Sequence, residues 1–255
     1  MNDDIHFEVS EGIATVTLNR PQARNAMTFE MYDRLAEICT APGETVKAVI
    51  LTGAGGRAFA SGTDIALFRD FETEADALAY EARIETVLSA IETCPAPTIA
   101  AISGACTGGG AAIAIACDLR IATADAVFGF PVARTLGNCL SVANYARLVS
   151  MIGAGRVMDM MLTARLSDAE TAKAIGLISE VVPDHAAVMA RAADLARTMA
   201  GHAPLTIRAT KDALRRVREG RRDGDDIIAM CYASADFREG LEAFLAKRKP
   251  EWKGR

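Results

Sequence analysis

Short apolar runs rich in β-branched residues, each ended by a turn, recur along the first 180 residues and constrain the fold most strongly. Stretches of helical character separate these runs, which lie at 13–18, 48–52, 98–102, 119–123 and 177–182. Strands that alternate with helices in this way are typical of an α/β domain whose strands are buried in a mostly parallel sheet. The sequence therefore predicts an α/β fold.

The strand pattern stops near residue 184, and the remaining chain has only helical signals. Its apolar residues follow the spacing of one helix face, as at Phe237, Leu241, Phe244 and Leu245. Helices gathered at one end of a domain cover its own sheet or contact a neighbouring subunit. We therefore predict a core at residues 1–195 and a C-terminal helical region at residues 196–255.

Composition and charge exclude several classes of protein. With 255 residues, of which 51% are hydrophobic and 24% charged, the chain can bury one large core. Its formal net charge of −5 disfavours a nucleic acid as the main partner. The acidic amino terminus does not resemble a secretion signal, and the longest apolar run, at 108–117, is about half a membrane span. We therefore predict a cytoplasmic protein with no membrane partner.

The six cysteines and three histidines do not form a metal-binding pattern. The cysteines have no C-x-x-C spacing, and the histidines lie far apart along the chain. Structural zinc sites depend on such spacing. We therefore predict that the protein holds no metal.

A cluster of arginines near the C-terminus departs from the acidic balance. Its members are Arg215, Arg216, Arg218, Arg221 and Arg222. A basic helix can bind RNA, but acidic residues surround this cluster and no aromatic side chains are interleaved for base stacking. We predict a salt-bridged surface or subunit contact here, with RNA binding as the alternative.

Two glycine-containing loops each lead into a helix. The first, AFASGTDI at 58–65, offers Thr63 or Asp64 as a helix cap, and the second, SGACTGGGAA at 103–112, contains three consecutive glycines. Glycines at a helix start expose free N–H groups at the positive end of the helix dipole. Neither loop has a nucleotide-binding G-x-G-x-x-G or G-K-[ST] pattern. Paired N–H groups can bind the oxyanion that develops on a carbonyl group, so we interpret the loops as an oxyanion site. The alternative interpretation is that the glycines only allow tight turns.

Several segments together resemble one known family. They are LNRP at 18–21, NAM at 25–27, FASGTD at 59–64, GGG at 108–110, CDLR at 117–120, FREG at 237–240 and KRKP at 247–250. In this order, and over nearly the whole chain, they are similar to the enoyl-CoA hydratase/isomerase (crotonase) superfamily. The resemblance implies a crotonase-like spiral of ββα units with a C-terminal helical region used for trimer formation.

The resemblance also implies a ligand and its contacts. The ligand is an acyl-CoA thioester, no separate cofactor is needed because coenzyme A is part of the substrate, and the assembly is a homotrimer or a dimer of trimers. The N–H groups of Thr63 and Gly109 match the oxyanion hole of the family. The matching coenzyme A contacts are Arg24, Ala26, Ala60, Asp64, Ile65, Phe244 and Lys247. The predicted acyl pocket comprises Leu67, Phe68, Phe71, Val132 and Arg134.

The sequence departs from the family at two positions that carry the chemistry of hydration. Family hydratases use two glutamates, because adding water across a C=C bond needs both a base and an acid. Ala112 and Val132 occupy those positions here. Neither side chain can carry a proton, so we expect enolate stabilisation without standard enoyl-CoA hydration. A catalytically silent acyl-CoA-binding protein is the alternative, and an RNA-binding relative is a third hypothesis.

Other residues are candidates for proton transfer or for orienting a water molecule. Glu85 aligns with a catalytic position in the dehalogenase branch of the family, while Asn138 and Cys139 lie where other branches place catalytic residues. Arg134 is a candidate ligand of an acyl carboxylate. Each has a structural interpretation as well: a solvated helix flank for Glu85, a helix cap for Asn138, a core thiol for Cys139 and surface for Arg134.

Overall fold

Two β-sheets form the centre of the structure, a computed structural model that describes residues 4–255. The ten strands within those residues are β1 (Ile5–Ser10), β2 (Ile13–Leu18), β3 (Ala48–Gly53), β4 (Ala58–Ala60), β5 (Thr98–Ile102), β6 (Ala105–Thr107), β7 (Leu119–Thr123), β8 (Val127–Gly129), β9 (Ser167–Asp168) and β10 (Glu180–Val182). The larger sheet has the order β1-β2-β3-β5-β7-β10, and the smaller has the order β4-β6-β8-β9.

The helices alternate with these strands and then dominate the C-terminal part. They are α1 (Phe29–Thr40), α2 (Glu74–Glu92), α3 (Gly109–Ala116), α4 (Val132–Thr135), α5 (Val142–Ile152), α6 (Ala154–Thr163), α7 (Ala169–Ala174), α8 (His185–Ala200), α9 (Pro204–Arg218), α10 (Asp225–Tyr232) and α11 (Ala235–Leu245). Short 3-10 helices occupy Pro21–Ala23 and Ile65–Phe68. No helix within residues 4–255 is both long and apolar enough to cross a membrane.

A repeated unit of two strands and a helix generates both sheets. In β3-β4-α2, β5-β6-α3 and β7-β8-α4, the first strand joins the larger sheet and the second joins the smaller one. β2, β3, β5, β7 and β10 pair in parallel, whereas β1 pairs antiparallel to β2 at the edge. Every residue of β3 and β5 is buried, as expected for central parallel strands. The predicted α/β fold with a spiral of ββα units is confirmed.

The predicted strand at 177–182 is shorter in the structure. Only Glu180–Val182 forms β10. The amide groups of Leu177 and Ile178 instead donate to the carbonyl oxygen of Ala172 at the end of α7. These two apolar residues therefore complete a helix C-terminus, which competes with the sheet for their backbone hydrogen bonds.

Helix α8 covers one face of the larger sheet. Its residues Val188, Ala192 and Ala196 are buried against apolar residues of β3, β5 and β7. The predicted boundary between residues 195 and 196 falls inside this continuous helix. Because α8 packs on the sheet, it belongs to the core, and the C-terminal helical region begins after Gly201.

Candidate active site

Two loops that leave neighbouring strands of the smaller sheet converge at one edge. β4 and β6 are parallel, so the residues that follow Ala60 and Thr107 emerge side by side. Gly62 and Gly108 have φ angles of 124° and 53°, which favour glycine. A Cβ atom added to Gly109 would lie only 3.3 Å from the amide nitrogen of Thr63. The end of the first loop, at Thr63, therefore lies close to the start of α3.

The backbone N–H groups of Thr63 and Gly109 are both free to bind a ligand. Met27 holds the chain on either side of Thr63, because its N–H donates to Gly62 O at 2.8 Å and its carbonyl accepts from Asp64 N at 2.9 Å. Gly109 is the first residue of α3, where an N–H has no intrahelical acceptor. Within residues 4–255, neither amide donates a hydrogen bond. Two such donors near one point can stabilise negative charge on an oxygen atom.

A chain of three hydroxyl groups supports the Thr63 loop. Thr63 Oγ1 lies 2.8 Å from the hydroxyl of Tyr32 on α1 and 2.7 Å from the hydroxyl of Tyr80 on α2. Burial raises the pKa of both tyrosines, so their hydroxyl groups stay protonated at neutral pH. The sequence analysis included neither Tyr32 nor Tyr80 among its candidate site residues. A buried tyrosine needs a partner for its hydroxyl, and that requirement is the signal that could have found this chain.

A cavity of about 180 Å³ lies beside these two N–H groups. Its wall is mostly apolar and contains the side chains of Ala112 and Val132, the two positions that the sequence analysis matched to the family's hydratase glutamates. The structure brings seven of the predicted site residues to this wall: Thr63, Gly109, Ile65, Phe68, Val132, Asn138 and Cys139. Among the lining residues in the described part of the chain, Glu81 is the only one with a charged side chain.

Glu85 does not line this cavity. Arg147 of α5, which is 1% exposed, donates from Nη2 to Glu85 Oε1 at 2.6 Å and from Nη1 to Glu85 Oε2 at 2.8 Å. Arg147 also binds both oxygens of Glu92, at 2.9 and 3.0 Å. The prediction that placed Glu85 in the catalytic pocket is therefore not supported by its position. A carboxylate held by a buried arginine is better suited to a structural role than to proton transfer.

Three further predictions concern α4 and the segment that joins it to α5. Asn138 and Cys139 are both exposed at the cavity wall. The helix cap is provided by Ser141, whose hydroxyl accepts from Asn144 N at 3.3 Å, so the interpretation of Asn138 as the cap is wrong. The interpretation of Cys139 as a core thiol is wrong as well. Arg134 is exposed and is not among the residues that line the cavity.

The predicted coenzyme A contacts separate into two groups. Arg24, Ala26, Ala60 and Asp64 surround the first loop: Arg24 O accepts from Ser61 N at 3.0 Å, and Asp64 pairs with Arg20 at 3.0 Å while capping the 3-10 helix Ile65–Phe68. Phe244 lines a different groove beside Trp252 in the C-terminal region. Lys247 is exposed in the same region. Within the described part of the chain, Phe244 and Lys247 are not among the residues that line the cavity.

Besides Arg134, two of the predicted acyl-pocket residues, Leu67 and Phe71, lie outside the cavity wall. Phe71 packs against Phe68 and Tyr80, with ring centroids 5.1 and 5.9 Å apart, so it supports the wall from behind. Leu67 is partly buried but is not among the lining residues. The predicted set therefore contains both lining and supporting residues.

Most of the arginine cluster is ion-paired with nearby carboxylates. Arg215 pairs with Asp212 and Glu219, and Arg216 pairs with Asp212 and Asp226. Arg218 binds Glu92 of α2, and Arg221 binds Asp223. The predicted salt bridges are present for these four side chains, although Arg216 is itself buried. Paired arginines have less charge available for the phosphates of a nucleic acid.

The fold is a spiral of ββα units, and two backbone N–H groups without an acceptor lie beside a mostly apolar cavity. The chain belongs to the enoyl-CoA hydratase/isomerase family, whose model matches residues 8–255. The resemblance inferred from the sequence segments is thereby confirmed.

Individual relatives match over the full length of the chain. YngF of Bacillus subtilis (strain 168) is 36% identical over 266 residues, which cover 100% of both chains. A crotonyl-CoA hydratase of Syntrophomonas wolfei subsp. wolfei is 32% identical and covers 97% of this chain and 96% of its own. The crystal structure of an enoyl-CoA hydratase/carnithine racemase from Magnetospirillum magneticum has a TM-score of 0.91 at 34% identity, covering 100% of this chain and 97% of that chain.

Proposed function

We propose that this protein is an acyl-CoA enzyme in which the N–H groups of Thr63 and Gly109 bind the thioester carbonyl oxygen and stabilise an enolate. The observation that carries the proposal is that two backbone N–H groups, neither of which donates a hydrogen bond within residues 4–255, converge at the edge of a mostly apolar cavity. When a proton leaves the carbon next to the carbonyl, the C–H electron pair moves toward this oxygen. Donors that already point there stabilise the resulting charge without rearrangement.

Standard enoyl-CoA hydration is not the reaction we propose. The methyl group of Ala112 and the side chain of Val132 are buried in the cavity wall and cannot exchange a proton. Each proton-transferring group contributes ~10²–10⁴-fold in rate in other enzymes. The enolate site is therefore suited to α-proton exchange, isomerisation, decarboxylation or thioester cleavage. The missing glutamates also favour a second candidate, a silent acyl-CoA-binding protein.

We expect the native protein to hydrate crotonyl-CoA at least about 100-fold more slowly than a two-glutamate hydratase assayed in parallel, because a missing acid or base costs that much. The measurement is the loss of enoyl-thioester absorbance. The double variant Ala112→Glu/Val132→Glu should gain hydration above the native level. The matched control is Gln at both positions, which adds similar volume without a titratable group and should gain nothing. Native hydration at the rate of the reference enzyme would contradict this proposal.

We further propose that the protein assembles as a homotrimer or a dimer of trimers through its C-terminal region. Large apolar side chains on the last two helices are unusually exposed, including Phe244 at 82% and Leu245 at 72%. Exposed apolar patches of this kind mark protein interfaces. A second chain could also bring Phe244 and Lys247 to the coenzyme A of its neighbour. No resident cofactor or metal is part of the proposed reaction, and the proposed location is cytoplasmic.

Sedimentation tests the assembly directly. We expect a particle mass of three or six chains at micromolar concentration. Replacing Phe244 and Leu245 together by serine should shift the population toward smaller species, because it removes apolar contact area. A native protein that sediments as a monomer at that concentration would contradict the proposed assembly.

A further inference from the structure

The cavity holds one carboxyl group, and it is not at either position where the family's hydratases place theirs. Glu81 lies on α2, which also presents Tyr80 and Ile84 to the cavity. No histidine, lysine, arginine or other carboxyl group is among the lining residues in the described chain. An enolate mechanism needs a group that accepts the α-proton. Glu81 is the side chain in this wall with the chemistry to do so.

We infer that Glu81 is the catalytic base and acid of this cavity, an assignment that rests on the proposed enolate function. The Glu81 carboxylate removes a proton from the carbon next to the thioester carbonyl. The C–H bond breaks, its electron pair moves into the C–C–O unit, and the negative charge lies on the oxygen bound by Thr63 N and Gly109 N. The proton, now on Glu81, returns to the same carbon or to another carbon of the conjugated acyl chain. The step needs no oxidant, reductant or co-reactant.

Glu81 differs from Glu85 and Glu92, the two glutamates that follow it on α2, because its carboxylate has no partner within residues 4–255. Within residues 4–255 it makes no hydrogen bond and no ion pair, although its side chain is partly buried. Glu85, one turn later, is bound by Arg147, and Glu92 is bound by both Arg147 and Arg218. A partly buried carboxylate without compensation costs stability, so its presence at a cavity wall is characteristic of a functional residue.

The electrostatic environment of Glu81 favours proton uptake. Burial raises its pKa, and the negative charge of Glu85 raises it further. A carboxylate with a raised pKa is a stronger base, which brings it closer to the optimum for proton transfer near neutral pH. The charge of Glu81 also contributes to the raised pKa of Tyr80 and Tyr32. Glu81 therefore lies close to the hydroxyl chain that holds Thr63.

Tyr80 and Cys139 are the other lining residues with a titratable proton. The hydroxyl of Tyr80 is bound to Thr63 Oγ1 at 2.7 Å, and its raised pKa makes it a poor source of a phenolate base. Cys139 is exposed in the segment before α5, whereas Glu81 lies on α2 beside Tyr80 and is partly buried. These positions leave Glu81 as the base on the same helix as the hydroxyl chain.

Deuterium exchange at the α-carbon tests the assignment. Native protein and variants are incubated in D₂O with butyryl-CoA and phenylacetyl-CoA, and label uptake is followed by mass spectrometry. We expect Glu81→Gln to lower the exchange rate at least about 100-fold, since that is the effect of losing a general base. Dissociation constants for both thioesters should stay within about twofold of native, because the carboxylate acts on the proton and not on coenzyme A. Glu81→Asp should retain part of the exchange.

The matched control is Glu74→Gln, the same chemical change at an exposed position in the first turn of α2. It should exchange at the native rate. Thermal unfolding provides a second readout: Glu81→Gln should be at least as stable as native at neutral pH, because it removes a desolvated charge that repels Glu85.

The outcomes separate the two claims. A native protein that exchanges label while Glu81→Gln exchanges equally fast would overturn the assignment of Glu81 and leave the enolate function standing. A native protein that binds both thioesters and exchanges neither would overturn both and favour the silent binding protein.

Discussion

Replacing Gly109 by alanine is expected to lower α-proton exchange at least about 100-fold, because removing one oxyanion donor costs about 10²–10³-fold in other enzymes. A Cβ atom at this position would lie 2.2 Å from the hydroxyl oxygen of Tyr32 and 3.0 Å from Thr63 Oγ1. Both contacts are too close for the present arrangement to persist. The start of α3 must therefore move away from Thr63, and the proposed oxyanion site would lose the alignment of its two donors.

The same deuterium-exchange assay measures this effect, and a matched glycine provides the control. Gly155 lies in the first turn of α6, and an added Cβ there would meet no atom within 4 Å. Gly155→Ala should exchange at the native rate and be slightly more stable, because alanine favours a helix by about 0.5–1 kcal/mol over glycine. A Gly109→Ala protein that is folded and exchanges at the native rate would contradict a catalytic role for this amide.

Replacing Arg147 by methionine is expected to lower the free energy of unfolding by about 3–5 kcal/mol, the typical cost of removing one partner from a buried ion pair. Arg147 is buried among Glu85, Glu92 and the side-chain oxygen of Asn144, and it joins α2 to α5. The side chain of Glu92 is only 10% exposed, so losing a cation beside it leaves a poorly solvated charge. Because Asn144 also lines the cavity, the wall near Glu81 depends on the same contacts.

Urea unfolding at a fixed protein concentration measures the loss. Arg34→Met is the control, because the pair of Arg34 with Glu37 is more than half exposed on both sides and such pairs contribute about 0–1 kcal/mol.

The difference in stability between native and Arg147→Met protein should also depend on pH. Burial alone would raise the pKa of Glu92, but hydrogen bonds from Arg147 and Arg218 lower it below its usual value. The stabilisation is thus present at neutral pH and lost as pH falls through that lowered pKa. Equal stability of Arg147→Met and Arg34→Met would contradict this role for Arg147.

The sequence pattern predicted the framework closely. The strands at 98–102 and 119–123 have the predicted bounds, and the helical C-terminal region follows where the strand pattern ends. These elements depend on local spacing of apolar residues and on turn residues nearby, which a sequence displays directly. The two glycine loops were predictable for the same reason. A helix start and a preceding glycine are local features, and the parallel order of the strands places them at one edge.

The roles of the glutamates on α2 could not be predicted in the same way. Glu81, Glu85 and Glu92 all lie on one flank of the helix, and nothing in their local sequence distinguishes them. The partner of Glu85 comes from Arg147, 62 residues later, and that of Glu92 also comes from Arg218, 126 residues later. Only the tertiary fold, which brings Arg147 of α5 and Arg218 of α9 to α2, decides which carboxylates are neutralised and which one lines the cavity.

The sequence by itself determined the fold class and the family, and it predicted the two glycine loops and the replacement of both hydratase glutamates, because each is carried by residue type and spacing. The tertiary structure alone decided that Tyr32, Thr63 and Tyr80 share hydrogen bonds and that Glu81, rather than Glu85, lines the cavity. The physical reason is that a side chain's protonation and role depend on which distant groups surround it, and those neighbours exist only once the chain has folded.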